Sequence, residues 1–196
     1  TEGVTRFDDV VGGSIALTSL TTDPLGSVLM NGGAVTTSGA QTYNDALILG
    51  AHATFTSSAD TLHFVSMSDN SAGFNLEMDS TTALLLNDVT LAGDLHTITR
   101  LGGVSQGVGT RLNIGGTSTF TAAQTAHQNA ELTNTNNRLV GKVTFDEGQP
   151  PGSWKDVSLT TTVKLVLGPL QSADGSVNLQ TQGADLQTDF ISTNHD

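Results

Sequence analysis

Cysteine is absent from the chain, which excludes a disulfide framework and any thiolate metal site and leaves a secreted location open. Positive charge is scarce: 7 Lys and Arg stand against 19 Asp and Glu, a net charge of -12. Such a surface repels phosphate backbones and acidic lipid heads, which argues strongly against nucleic acid and membrane partners. No apolar run approaches the roughly 20 residues that span a bilayer. The start, Thr1-Glu2-Gly3-Val4, lacks the basic flank and apolar core of an export signal, so the chain reads as a mature protein or an excised segment. Helix formers are few as well. Glu, Lys and Arg together number 11, against 30 Thr and 22 Gly, so β-branched and turn residues dominate. Disorder is excluded by the combination of 13% charged and 36% hydrophobic residues. What remains, in 196 residues, is a folded and nearly all-β chain of one domain or two small ones.

The strands it does contain are short. In Phe74-Asn75-Leu76-Glu77-Met78 apolar side chains fall on alternate positions, as a strand with one wet face requires. Val89-Thr90-Leu91, Leu112-Asn113-Ile114, Val143-Thr144-Phe145, Val177-Asn178-Leu179 and Ala184-Asp185-Leu186 repeat the arrangement. Between them lie corner residues that tolerate positive φ or bond their own backbone, such as Asn31-Gly32-Gly33, Ser68-Asp69-Asn70, Ala92-Gly93-Asp94 and Gly115-Gly116. Strands of three to five residues with corners of similar length suit a coil that turns after every strand. Internal repetition points the same way. Leu29 to Thr42 aligns with Leu112 to Thr125 with half of 14 positions identical, at an offset of 83. With about 20 residues per coil, that offset is close to four turns of a parallel β-helix.

These residues also carry a resemblance. Phe7 with Val11-Gly12-Gly13, then Ala16 to Asp23, then Val35 to Asp45 and Leu49-Gly50, resembles the repeat of very large bacterial exoproteins of the filamentous haemagglutinin type. Gly116 to Phe120, Leu132-Thr133-Asn134 and Asn137 to Phe145 are similar to another segment of such arrays. The resemblance implies a right-handed parallel β-helix forming the stalk of a secreted or cell-surface adhesin, with no site residues to carry across. Three regions follow: 1–146 as the repeat region, 147–156 as a loop or junction rich in Pro and Gly, and 157–196 as further coils or a cap. The junction holds Pro150, Pro151 and the sole tryptophan, Trp154, read as a ring folded over the outer wall or as a candidate contact residue.

Chemistry is sparse by comparison. Parallel β-helices also host polysaccharide lyases and hydrolases, which need clustered carboxylates. Asp45, Asp60, Asp69, Asp79, Asp88 and Asp94 fall mostly at expected corners, where turn chemistry alone favours Asp. His52, His63, His96, His127 and His195 lack close metal-ligand spacing, and His63 and His96 take outward positions. No nucleophile elbow, phosphate loop, zinc-protease helix or calcium nonapeptide occurs. Outward Thr36-Thr37, Thr54 with Thr56, Thr81-Thr82 and Thr160-Thr161-Thr162 do not form one evenly spaced ice-binding rank. The reading is therefore a non-enzymatic adhesive or structural segment, without cofactor or metal. Its expected partners are further coils of the parent chain, copies of itself end to end, or a host or bacterial surface receptor. A β-helical polysaccharide-active enzyme or phage tailspike-type domain is the alternative.

Overall fold

The computed structural model describes residues 3–124, 127–148, 153–173, 175–189 and 191–194. The strands in chain order are β1 (Gly3–Phe7), β2 (Leu20–Thr21), β3 (Gly26–Met30), β4 (Ala34–Thr37), β5 (Gln41–Leu49), β6 (Ala53–Ser57), β7 (Leu62–Ser68) and β8 (Leu76–Ser80). They continue with β9 (Leu84–Leu86), β10 (Asp88–Leu91), β11 (Leu95–Thr99), β12 (Val104–Gln106), β13 (Leu112–Ile114), β14 (Ser118–Ala122), β15 (Gln128–Leu132) and β16 (Arg138–Leu139). Last come β17 (Lys142–Glu147), β18 (Trp154–Thr161), β19 (Leu165–Leu167), β20 (Leu170–Ala173), β21 (Val177–Thr181), β22 (Leu186–Thr188) and β23 (Ile191–Asn194). No helix occurs among the described residues. The strands stack in parallel as a β-solenoid of about 8 turns with about 22 residues per turn, slightly longer than the coil expected from the sequence.

Three walls run along the axis. Wall A has the order β1-β3-β5-β7-β10-β13-β16, wall B the order β4-β6-β8-β11-β14-β17-β19-β22, and wall C the order β9-β12-β15-β18-β20-β23. Along each strand alternate side chains point in and out; β6, β8 and β11 share a pattern in which first, third and fifth residues are buried. β5 and β7, both in wall A, pair in two stretches. Gln41 to Tyr43 pair with Leu62 to Phe64, a bulge intervenes, and Ala46 to Ile48 then pair with Ser66 to Ser68. The bulge bends the strand around the corner without a separate loop.

Pairing register explains the internal repeat and corrects its residue equivalences. Val28, Leu47, Met67, Val89 and Leu112 form one inward column, so four turns separate residue 28 from residue 112, 84 positions rather than 83. On wall B the column is Val35, Phe55, Met78, Thr97 and Phe120, 85 positions over four turns. The sequence alignment finds the right number of turns and misses the register, because loops of different length let single turns range from 18 residues (Trp154 to Ser172) to 27 (Ala130 to Val157).

The interior is a narrow apolar ladder closed by aromatic clusters. Tyr43 stacks on Phe64 at 4.8 Å between ring centres and meets Phe55 edge-on at 5.5 Å. Burial pushes the Tyr43 phenol well above its ordinary value, and its hydroxyl donates to Gln41 Oε1 at 3.1 Å. One inward column is polar: Thr37, Ser57, Ser80 and Thr99 stack in register, all fully buried. Their hydroxyls are satisfied locally, Ser57 by the Gly39 carbonyl at 2.9 Å and Thr99 by Gln128 Oε1 at 2.6 Å. At one corner the backbone needs glycine outright: Gly26 has φ +136°, and a Cβ there would collide with the Gly3 carbonyl of the preceding turn.

The junction region differs from its sequence reading. Residues 149–152, including Pro150 and Pro151, lie outside the described residues, but Trp154 opens the eight-residue strand β18 rather than belonging to a loop. Its ring is fully buried, meets Phe145 edge-on at 5.8 Å, and donates from Nε1 to the Asp146 carbonyl at 3.0 Å. Trp154 therefore sits inside the wall and presents no surface to a partner, because the first residue of β18 faces inward beside the Phe120–Phe145 stack. Beyond it, β18 to β23 continue the same walls. Two expected alternations weaken there: Val177 and Leu179 are half-buried, and Leu186, in the last strand of wall B, is 47% exposed.

Candidate functional site

Wall B presents two outward rows of side chains in register. One row across it reads Ala34, Thr54, Glu77, His96, Thr119, Thr144 and the next reads Thr36, Thr56, Asp79, Ile98, Thr121, Asp146. Each row thus holds three threonines, and Glu77, Asp79, His96 and Ile98 interrupt them, so no continuous Thr rank exists on this wall. Thr160 and Thr161, offered by the sequence as outward residues, are buried on wall C.

Along one edge of this wall runs a ladder of side chains, each receiving the backbone N–H of the following turn. The Asn75 amide donates to His52 Nδ1 at 3.0 Å, the Asp94 amide to Asn75 Oδ1 at 3.0 Å, and the Thr117 amide to Asp94 Oδ1 at 2.7 Å. The Thr117 hydroxyl adds a second bond to the same Asp94 oxygen. Each N–H lies where the chain turns out of the regular sheet, so an acceptor from the neighbouring turn satisfies it. His52 must present an unprotonated Nδ1 to take part, and its ring also meets Phe74 edge-on at 5.7 Å.

Between this ladder and the outward rows lies a groove of about 520 Å³, bordered by His52, Asn75, Glu77, Asp94, His96, Thr119 and Asp146. Among the described residues no Lys or Arg borders it. Within it His96 Nδ1 is 3.1 Å from Glu77 Oε2, and His96 Nε2 is 3.1 Å from Thr121 Oγ1. On the far side of the second row Arg100 pairs with Asp79, its Nη2 donating to Oδ2 at 2.8 Å. Wall C has its own corner bonds: the Ser176 amide and hydroxyl both donate to Asp156 Oδ1, at 2.9 and 3.0 Å, and hold that carboxyl below its ordinary value. At the end of β17, burial and the neighbouring Asp146 push Glu147 up.

The six aspartates named from the sequence divide by role. Asp60 Oδ1 accepts the Thr61 amide, and Asp88 Oδ1 accepts the Arg111 amide. The fully buried Asp69 takes four backbone N–H groups, from Ser71, Gly73, Phe74 and Ala92. With Asp94 these do turn chemistry. Asp45 and Asp79 lie within strands β5 and β8 instead. Of the histidines, His52 and His96 both border the groove, His63 is outward on β7, His127 lies at positive φ before β15, and His195 is outside the described residues. Among the described residues no group of three His, Asp or Glu side chains is placed to hold a metal ion. The Glu77, His96, Thr121 contact is missed by sequence reasoning: the spacings, 19 and 25 residues, acquire meaning only once β8, β11 and β14 are known to be adjacent.

No curated protein and no solved structure matches the chain. Residues 73–146, which run from just before β8 into β17 and include the groove's border apart from its His52 side, match the family described as repeats of unknown function (DUF5649). The chain is thus a repeat-built parallel β-solenoid with a central segment similar to that family.

Proposed function

We propose that this chain is a stalk-forming segment of a secreted bacterial surface protein, serving attachment by mechanical extension rather than by turnover. The observation that carries the reading is the uninterrupted stacking of about 8 turns around one apolar ladder. In such a stack each turn contacts only its neighbours, so stability accrues turn by turn and length is gained without a larger core. The resemblance to haemagglutinin-type repeats supports the adhesive and extracellular part, and the absence of cysteine and the net charge of -12 are compatible with it. Parallel backbone pairing along the axis is the interaction by which further coils of the parent chain, or a second copy, would join.

The test is attachment. Beads coated with the folded chain should be retained on cultured cell layers or bacterial surfaces more than beads coated with heat-denatured chain; equal retention overturns the adhesive role. One observation favours the second reading, a polysaccharide-active wall: the groove gathers Glu77, Asp94, Asp146 and His96. Release of reducing ends from acidic polysaccharides, with or without calcium, would replace the stalk reading by that one.

A further inference from the structure

Glu77, His96 and Thr121 stand on three successive strands of wall B, β8, β11 and β14, and their contacts serve neither the inner ladder nor the corner bonds. A carboxylate has no hydrogen to give, so the 3.1 Å contact of Glu77 Oε2 requires His96 Nδ1 to be the donor. In the neutral ring Nε2 is then a lone pair, and the Thr121 hydroxyl 3.1 Å away donates to it. Carboxylate, imidazole and hydroxyl are connected in the order in which an acid orients a base and the base takes the proton of a nucleophile. Thr121 is 8% exposed and lies beside the groove without lining it; Thr119, two residues before it on β14, and its register partner Asp146 border the groove, whose volume is in the range of small-molecule sites.

We propose that Glu77, His96 and Thr121 form an acyl-accepting centre that hydrolyses small activated esters bound in this groove. The inference is independent of whether the chain is a stalk. In the first step a bond forms between Thr121 Oγ1 and the ester carbonyl carbon while the hydroxyl hydrogen passes to His96 Nε2. The bond from that carbon to the leaving oxygen then breaks, and the leaving group departs as an alcohol or phenol with the hydrogen from His96. Water attacks the acyl-threonine with His96 again as base, releasing a carboxylic acid and restoring the Thr121 hydroxyl. Glu77 holds the ring and stabilises its protonated form. The strand amides on either side are engaged in the parallel ladder, so charge on the carbonyl oxygen must be met by side-chain donors, of which Thr119 and Asn75 border the groove. This confines the substrate class to esters with a good leaving group, such as a phenolate, and excludes amides.

The experiment incubates the full chain with p-nitrophenyl acetate, follows nitrophenolate release, and maps the acetyl group by peptide mass spectrometry. A burst approaching one equivalent is expected, with the acetyl on Thr121. Thr121→Ser should keep both, Thr121→Val should lose both, His96→Gln should slow acylation by about a hundredfold or more, and Glu77→Gln should slow it less. An isolated surface imidazole would hydrolyse the same ester at a rate that Thr121→Val leaves unchanged. That result, or no acetyl on Thr121 in the unsubstituted chain, overturns the proposal whether or not any variant folds poorly.

Discussion

Replacing Leu76 by alanine should destabilise the fold by about 3 kcal/mol, the middle of the range for buried leucines. Leu76 is 1% exposed and stands in the inward column between Ala53 and Leu95 of the adjacent turns. Removing its isobutyl group forfeits the transfer energy of that side chain, about 1.5 to 3 kcal/mol, and leaves a cavity. The Ala53 methyl is too short to fill it, and the backbone rungs are pinned by ladder bonds on both sides, so relaxation is limited. In a chain of this length about 3 kcal/mol lowers the melting midpoint by roughly 6 to 12 °C. Thermal unfolding followed by circular dichroism reads the shift. Two neighbours calibrate it. Thr54→Ala, outward on the adjacent strand, should stay within about 0.5 kcal/mol. Asn75→Ala falls between. On the sequence alone Asn75 is an indifferent outward residue, but its Oδ1 accepts the Asp94 amide, an exposed bond whose loss should cost about 0.5 to 1 kcal/mol. Equal, small effects from Leu76→Ala and Thr54→Ala would mean that inside and outside are assigned the wrong way round on β8.

Other consequences follow from single residues. Trp154, fully buried, should emit at shorter wavelength than tryptophan in water and resist quenching by iodide; ready quenching would place it on the surface. Asp69→Ala, which strips the acceptor from four backbone N–H groups in a fully buried position, should cost about 2 to 3 kcal/mol in urea unfolding, and Asp69→Asn less. Asp156 is held below its ordinary value of 3.8 by the Ser176 amide and then by the Ser176 hydroxyl. Because the folded value lies below the unfolded one, its contribution is present above pH 3.8 and is lost as pH falls through the folded value. In a carboxyl NMR titration Ser176→Ala should move Asp156 upward, toward its ordinary value; no movement refutes the hydrogen-bond assignment.

How much of this was legible in the sequence depends on whether a feature is local. Alternation in Leu76-Glu77-Met78 and Leu112-Asn113-Ile114 reads directly, because a strand's two faces are a property of neighbouring residues, and so do corners such as Gly115-Gly116. Four turns between residues 29 and 112 were visible as well. Register was not: it accumulates over every loop, and a drift of one residue on wall A exchanges inside for outside. The same limit hid the site. His52, Asn75, Asp94 and Thr117 form a ladder through spacings of 23, 19 and 23 residues, a sequence no fixed period would have selected. Trp154 was misplaced for a different reason. The composition around Pro150 and Pro151 marks a loop, and nothing local shows that the strand begins at the tryptophan itself, with its indole filling space beside Phe145.

The most direct test of the parallel solenoid is a set of distances along wall B. Ala34, Thr54, Glu77, His96, Thr119 and Thr144 lie in register on adjacent strands, so Ala34 and Thr144 are five strand spacings apart and Thr54 and Thr144 four. At about 4.8 Å per spacing these are about 24 Å and about 19 Å. Spin labels at the two pairs, measured by pulsed dipolar spectroscopy, should give single narrow distributions whose means differ by one strand spacing, a difference in which the label's own reach cancels. Equal means, broad distributions, or an order reversed between the two pairs would contradict the stacking of one turn directly upon the next.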